Sequence, residues 1–221
     1  MTLTSRVKPP DFGQGVYAVS DVARLIRRHY STVYSWFRVR DVFTSDYAVV
    51  EGAFGVSFYD LIDALIAVHF RDAGVSMPMV RKAYKSLAVT FGTDHPFCHR
   101  GLYTDGSRVI VNVAEQLGLV RLLDAVNNQR WFGEFKSLLA RVSYSERTKL
   151  AMQWDIARGV VVDPELAMGY PVVAKTGVTT HVISRAFHAN GGNIELVASM
   201  YGLKPNQVRN AVTFESSLKA A

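Results

Sequence analysis

Two short amphipathic segments joined by a polar turn, between Tyr17 and Arg40, restrict the possible folds of this chain more than any other stretch. Ser20 is suited to cap a first helix, with Asp21 at the positive end of its dipole. Val22, Leu25 and Ile26 recur at helical spacing on one face. The polar run Arg27-Arg28-His29-Tyr30 closes that helix. Ser31 opens a second one, in which Val33, Trp36 and Phe37 share a face. Two helices at this separation make a helix-turn-helix, whose second helix can enter the major groove of double-stranded DNA. The other face of that helix carries Ser31, Thr32, Tyr34 and Ser35 as candidate base contacts. Arg27, Arg28, Arg38 and Arg40 are the candidate phosphate contacts.

The distribution of charge supports the same expectation. Net charge is +6 over 221 residues. Met1 to Arg40 holds seven Lys/Arg against Asp11 and Asp21, whereas Asp41 to Val75 holds only Arg71 against six acids. Positive charge focused on one helix pair predicts a face that docks on phosphates rather than a diffuse polyanion binder. About half of the residues are apolar, enough for a substantial core. The single Cys98 excludes an intramolecular disulfide. The polar lead-in after Met1, and the shortness of the most apolar run, Val56 to Phe70, predict a cytoplasmic protein with no membrane association.

Further along, Val42 to Val50 reads as a hairpin turning at Thr44-Ser45-Asp46, in the place of a wing. Ser57 caps a helix with Phe58, Leu61, Ile62, Leu65 and Val68 inward, Asp60 and Asp63 outward, and Gly74 as its stop. Ser76 and Pro78 open the next, with Val80, Tyr84, Leu87 and Phe91 toward the core. Asp105-Gly106, flanked by Leu102-Tyr103-Thr104 and Val109-Ile110-Val111, predicts a second hairpin. Helices over 113–126 and 131–142 follow, separated by a break at Asn127. Leu150, Met152 and Trp154 alternate as in an edge strand. From Gly159, Val160-Val161-Val162 reads as a strand and Val172-Val173 as another. Helices capped by Thr179 or Thr180, by Asn193 and by Lys204-Pro205 come after them. The expected fold is mainly α with short β-hairpins. It divides into an N-terminal domain at 1–92, a connector at 93–158 and a C-terminal three-helix, homeodomain-like module at 159–221.

The helix pair, the hairpin, and then Val56-Ser57-Phe58-Tyr59-Asp60-Leu61 and Gly74-Val75-Ser76, resemble the DNA-binding domain of the MerR family. The long dimerisation helix usual in that family does not follow. The strand, Asp163-Pro164-Glu165, Met168-Gly169-Tyr170-Pro171 and three helices look like a small domain of unknown function that recurs in prokaryotic antitoxins. Together they resemble a VapB-type antitoxin. The resemblance implies repression of its own operator as a homodimer, and neutralisation of a VapC-type ribonuclease with a PIN-domain fold. An alternative is a MerR-like regulator whose C-terminal module senses a small ligand.

No motif predicts an enzyme, a cofactor or a metal. His95-x-x-Cys98-His99, with Asp94, lacks the second ligand pair of a structural zinc site. A metal-dependent enzyme built there is the reading from another class. His181 and His188, seven apart, fit one helix surface. The last helix offers Asn206, Gln207, Arg209 and Asn210, able to read bases, but without the positive charge of the N-terminal pair.

Overall fold

The computed structural model describes residues 14–39, 42–43, 45–47, 49–50 and 53–219. It is mainly α-helical, with a four-stranded antiparallel sheet and a C-terminal three-helix bundle. The helix pair forms as α1 (Val19–Leu25) and α2 (Tyr30–Arg38). Each begins earlier than the sequence signals suggest. Ala18 occupies the cap of α1, and the cap of α2 is His29, whose Nδ1 accepts from the Ser31 N–H.

The hairpin after α2 lies further on than expected. β1 (Val49–Val50) pairs with β2 (Ala53–Phe54), while Val42 and Phe43 are buried. The Val42 and Phe43 N–H groups both donate to the Trp36 carbonyl, so this segment wraps the end of α2 instead of pairing. The expected turn residue Thr44 lies outside the described residues.

α3 (Phe58–Asp72) is the central helix. Its Ser57–Asp60 capping box satisfies the first backbone donors, and every residue from Phe58 to Phe70 except Tyr59 and His69 is buried. A helix covered on all sides has no solvent face, so the expectation that Asp60 and Asp63 point outward is wrong: both are 0% exposed. α4 (Met77–Phe91) follows and ends at Gly92 in the left-handed conformation. A single 3₁₀ turn, Pro96–Cys98, then leads into α5 (Gly101–Gln116).

α5 replaces the expected hairpin at Asp105-Gly106. Leu102, Gly106, Ile110, Val113 and Ala114 are buried at helical spacing, and this stripe overrides the turn signal. Asp105 leaves only a kink, at φ −124° and ψ 15°. The single helix expected over 113–126 is broken at Gly118, and α6 (Val120–Asn127) begins beyond it. Asn128 caps α7 (Gln129–Leu139) by accepting from the Trp131 N–H at 3.1 Å. The helix therefore starts and stops earlier than expected, and Val142 belongs to a strand.

The sheet runs in order β3 (Val142–Tyr144), β4 (Ala151–Ala157), β5 (Val160–Val162) and β6 (Val172–Val173). β4 is thus an inner strand and not the expected edge; its alternation is interrupted by register shifts on both flanks. The bundle of α8 (Thr180–Ala189), α9 (Ile194–Tyr201) and α10 (Pro205–Lys219) closes a smaller core of Val173, Ile183, Val197, Ala198, Val208 and Ala211. The larger core extends from Tyr17 through the sheet, and Phe214 and Leu218 of α10 belong to it. No helix among the described residues is long and apolar enough to cross a membrane.

The two ends of the chain are clasped together. The Val16 N–H donates to the Met168 carbonyl at 3.1 Å, and the buried Tyr17 hydroxyl donates to the Gly169 carbonyl at 2.8 Å. Gly169 has φ +89°, and a Cβ there would lie 2.2 Å from the Tyr17 hydroxyl oxygen. Gly169→Ala should therefore cost about 2–4 kcal/mol of stability, from combined backbone strain and clash. Tyr17→Phe, which only strands an acceptor, should cost about 1–2 kcal/mol. Urea unfolding midpoints read both; a Gly169→Ala protein as stable as the parent would refute the clasp.

Candidate functional site

Burial divides α2 into two faces. Val33, Trp36 and Phe37 enter the core, whereas Ser31 and Arg38 are exposed and Thr32, Tyr34 and Ser35 are partly exposed. The Ser35 hydroxyl donates back to the Thr32 carbonyl at 2.7 Å, and the Ser31 hydroxyl lies 2.8 Å from His29 Nδ1. Tyr34 stacks on Tyr30 with ring centroids 5.7 Å apart. The turn between the helices is built differently from its outer end. Arg27, held at φ +55°, reaches Ser217 of α10 at 3.3 Å. Arg28 forms an ion pair with Asp72 at the end of α3. Arg40 lies outside the described residues. The structure therefore puts five of the eight candidate residues on α2 and two on the turn that packs against α3 and α10.

Behind this helix pair lies a polar cluster that the sequence reading did not assemble. Asp63 of α3 is surrounded by donors: the Phe97 N–H at 3.2 Å on one oxygen, the His95 ring at 2.8 Å and the Tyr84 hydroxyl at 2.7 Å on the other. The Tyr84 hydroxyl also lies 2.6 Å from the Asp94 carbonyl, so its one proton serves either acceptor. The second ring nitrogen of His95 is 3.0 Å from Asp46 Oδ1. Both ring nitrogens face carboxylate oxygens, and only the imidazolium has a donor for each. Desolvation opposes that charge, but hydrogen bonds to Asp46 and Asp63 and their charges overcome it, and the pKa is pushed up to about 11.

Asp60 completes the cluster. One of its oxygens accepts from the Ser57 and Asp46 N–H groups at 3.0 and 3.2 Å, while Oδ1 is buried without a hydrogen-bond partner. Burial, then the charge of Asp46, raises its pKa to about 7. Burial also raises the Asp63 carboxyl, an effect that His95, Tyr84 and Cys98 partly offset. Cys98 is sealed beside Asp63, and burial pushes its thiol well up, which removes nucleophilic character. His99 turns away: it stacks on Phe91 at 4.4 Å and accepts from the Gly101 N–H. The His95-Cys98-His99 grouping of the rival enzyme reading is thus split, with His95 grouped instead with Asp46 and Asp60. His181 and His188 are both exposed on α8. The usable signal for Asp60 was its place at the third position of the Ser57 capping box, which directs a carboxylate back toward the helix start.

With this geometry in view, comparison with known proteins becomes informative. Residues 160–214 match the family described as a protein of unknown function, DUF433. The candidate antitoxin VapB45 of Mycobacterium tuberculosis is 30% identical over 168 residues, 70% of this chain and 69% of the relative. The chain belongs to the family of VapB-type antitoxin proteins that this relative represents. The crystal structure of Rv2018 from Mycobacterium tuberculosis shares the fold, with a TM-score of 0.74 at 21% identity over 92% of this chain and 100% of that one.

The cluster sets a sign for the pH dependence of stability. His95 is raised from 6.5 to about 11, so its contribution is complete below pH 6.5 and is lost as pH rises toward 11. Asp60 is raised from 3.8 to about 7, and its ionisation destabilises the fold in the same direction at lower pH. In buffer containing chelator, stability should fall between pH 7 and pH 10, by up to about 1.4 kcal/mol per pH unit for one proton. Asp46→Asn should flatten that slope. Urea titrations at several pH values measure it, and a level profile for the parent protein would contradict a charged His95.

Proposed function

We propose that this protein is the antitoxin of a toxin–antitoxin pair that also represses its own operon, with α2 as its DNA-reading helix. The observation that carries the proposal is the division of α2, whose apolar residues are spent on the core while Ser31, Thr32, Tyr34, Ser35 and Arg38 remain on one accessible side. Family membership supports the antitoxin part. In this proposal Ser31, Thr32, Tyr34 and Ser35 approach bases. Arg27, Arg28, Arg38 and Arg40 hold phosphates, Arg28 more weakly because Asp72 already compensates its charge. In this proposal the hairpin β1–β2 serves as the wing. A homodimer is proposed because one short helix buries little DNA, and two-fold symmetric proteins read paired half-sites. The proposed partner is a VapC-type toxin with a PIN-domain ribonuclease fold.

A second reading, a regulator that senses a small ligand, is favoured by one specific feature. A cavity of about 530 Å³ lies between the α1–α2 turn, the β4–β5 hairpin and α10. Arg27, Arg141 and Arg158 line it together with Trp154, whose buried Nε1–H has no hydrogen-bond partner. Such a lining suits an anion with an apolar body. Operator affinity measured with and without a saturating aromatic carboxylate such as salicylate tests it, and an unchanged affinity counts against this reading.

Two experiments test the main proposal. Co-expression with the adjacent reading frame should neutralise a toxic ribonuclease and retain it on the purified protein; a harmless or unbound neighbour overturns the antitoxin reading. Arg38→Ala should weaken binding to all DNA sequences alike and flatten the salt dependence by about one unit. A gel-shift slope identical to that of the parent protein removes Arg38 from the phosphate contacts.

A further inference from the structure

The cluster behind the helix pair is oversupplied with negative charge. Three carboxylates, of Asp46, Asp60 and Asp63, stand around one imidazole that bonds to Asp46 and Asp63, and Asp60 and Asp63 are fully buried. Burying unpaired charge is costly, so such groups are paired or bind metal ions. Asp63 is already provided with donors from Phe97, Tyr84 and His95. Asp60 is provided for on one oxygen only: Oδ2 accepts from the Ser57 and Asp46 N–H groups, while Oδ1 is buried with no hydrogen-bond partner among the described residues.

We propose that Asp46, Asp60 and His95 form a binding site for a divalent first-row transition ion, with Mn²⁺ and Zn²⁺ as the fitting cations, and that Asp63 orients the histidine. One donor atom from each of the three residues lies within 4.8 Å of the others. His95 Nε2 and Asp46 Oδ1 are 3.0 Å apart. Neighbouring ligands of an octahedral ion with bonds of about 2.1 Å are separated by about 3.0 Å, and opposite ligands by about 4.2 Å. His95 and Asp46 thus already stand at the spacing of adjacent ligands, and the Asp60 oxygen has to close from at most 4.8 Å. A mixed set of two carboxylates and one imidazole suits these ions better than Ca²⁺, which prefers oxygen throughout.

The outer shell is also in place. A ligating histidine normally donates its other N–H to a carboxylate, which fixes the tautomer and turns the free nitrogen toward the metal. Here that carboxylate is Asp63, itself held by Tyr84 and the Phe97 N–H. An approach exists as well: a cavity of about 400 Å³ runs to Asp46 and His95 past Tyr84, Lys85 and Asp94. A proton and a cation compete for His95 Nε2. The proton donates to Asp46, whereas the cation is shared by both residues and displaces that proton to solvent.

The test uses the full-length protein dialysed against EDTA and then titrated calorimetrically with Mn²⁺ and, separately, with Zn²⁺. At least one ion should bind at one per chain and raise the melting temperature. Titrations at pH 8, where Asp60 is already ionised, in two buffers of different ionisation heat should show roughly one proton released per ion. Asp46→Asn, which preserves shape at a partly exposed position, should weaken binding by about ten-fold or more with an unchanged circular dichroism spectrum. Should that variant misfold, the electron spin echo of Mn²⁺ on the parent protein gives an independent readout, expected to contain nitrogen coupling from one imidazole. Absence of stoichiometric binding by both ions overturns the site, as does binding that Asp46→Asn leaves intact or a spin echo without nitrogen.

Discussion

Everything around α3 depends on how one carboxylate is accommodated. Asp63 lies in the buried stretch of α3, where an ionised group without partners would be prohibitively costly. The cost is met by groups from three directions: Tyr84 on α4, His95 before the 3₁₀ turn and the Phe97 backbone within it. Since each partner is directional, the carboxylate fixes the position of α4 and of the turn as well as their contact with α3. Apolar packing alone tolerates sliding; a buried polar hub does not. His95 extends the hub to Asp46, and so fixes the segment that follows α2. The attitude of the proposed DNA-reading helix thus depends indirectly on a residue well behind it.

The remaining architecture couples the C-terminal bundle to this framework at several places. Tyr17 and Val16 bond to the Met168–Gly169 turn, Arg27 reaches Ser217, and the Tyr170 hydroxyl lies 3.4 Å from Asp21. Within the bundle the buried Thr180 hydroxyl donates to Glu215 at 2.5 Å, which provides for a carboxylate that α10 carries into the interior. Both ends of the chain therefore use the same device, a buried acid with a dedicated donor, to set the relation of neighbouring helices.

The sequence was most legible where one local signal agreed with a single periodicity. The α1–α2 pair, the cap at Ser57, the stop at Gly74 and all three helices of the bundle follow from such agreement. It was least legible where a local signal opposed a long-range one. Asp105-Gly106 is a strong turn dipeptide, but Leu102, Ile110 and Val113 gain more from burial on one helical stripe than a turn would return. Val42 and Phe43 have strand propensity, yet their N–H groups find the Trp36 carbonyl first. The polar cluster was missed for a different reason. Periodicity assigns charged residues to the outside of a helix, and nothing local reveals that α3 has no outside. Residues 46, 60, 63, 84 and 95 meet only through tertiary packing, and their separation in sequence hides them.

The presence of Phe214 and Leu218 in the larger core has a bearing on biosynthesis. A growing chain emerges from the ribosome with Tyr17 and α1 well before Phe214 and Leu218 of α10, which join the same core. Until α10 has cleared the exit tunnel, that core is incomplete. The nascent protein therefore passes through an interval in which its N-terminal half is made but open, exposed to chaperones and proteases. Emergence of α10 ends that interval, so a protein without α10 would carry an unsealed core rather than a slightly smaller one.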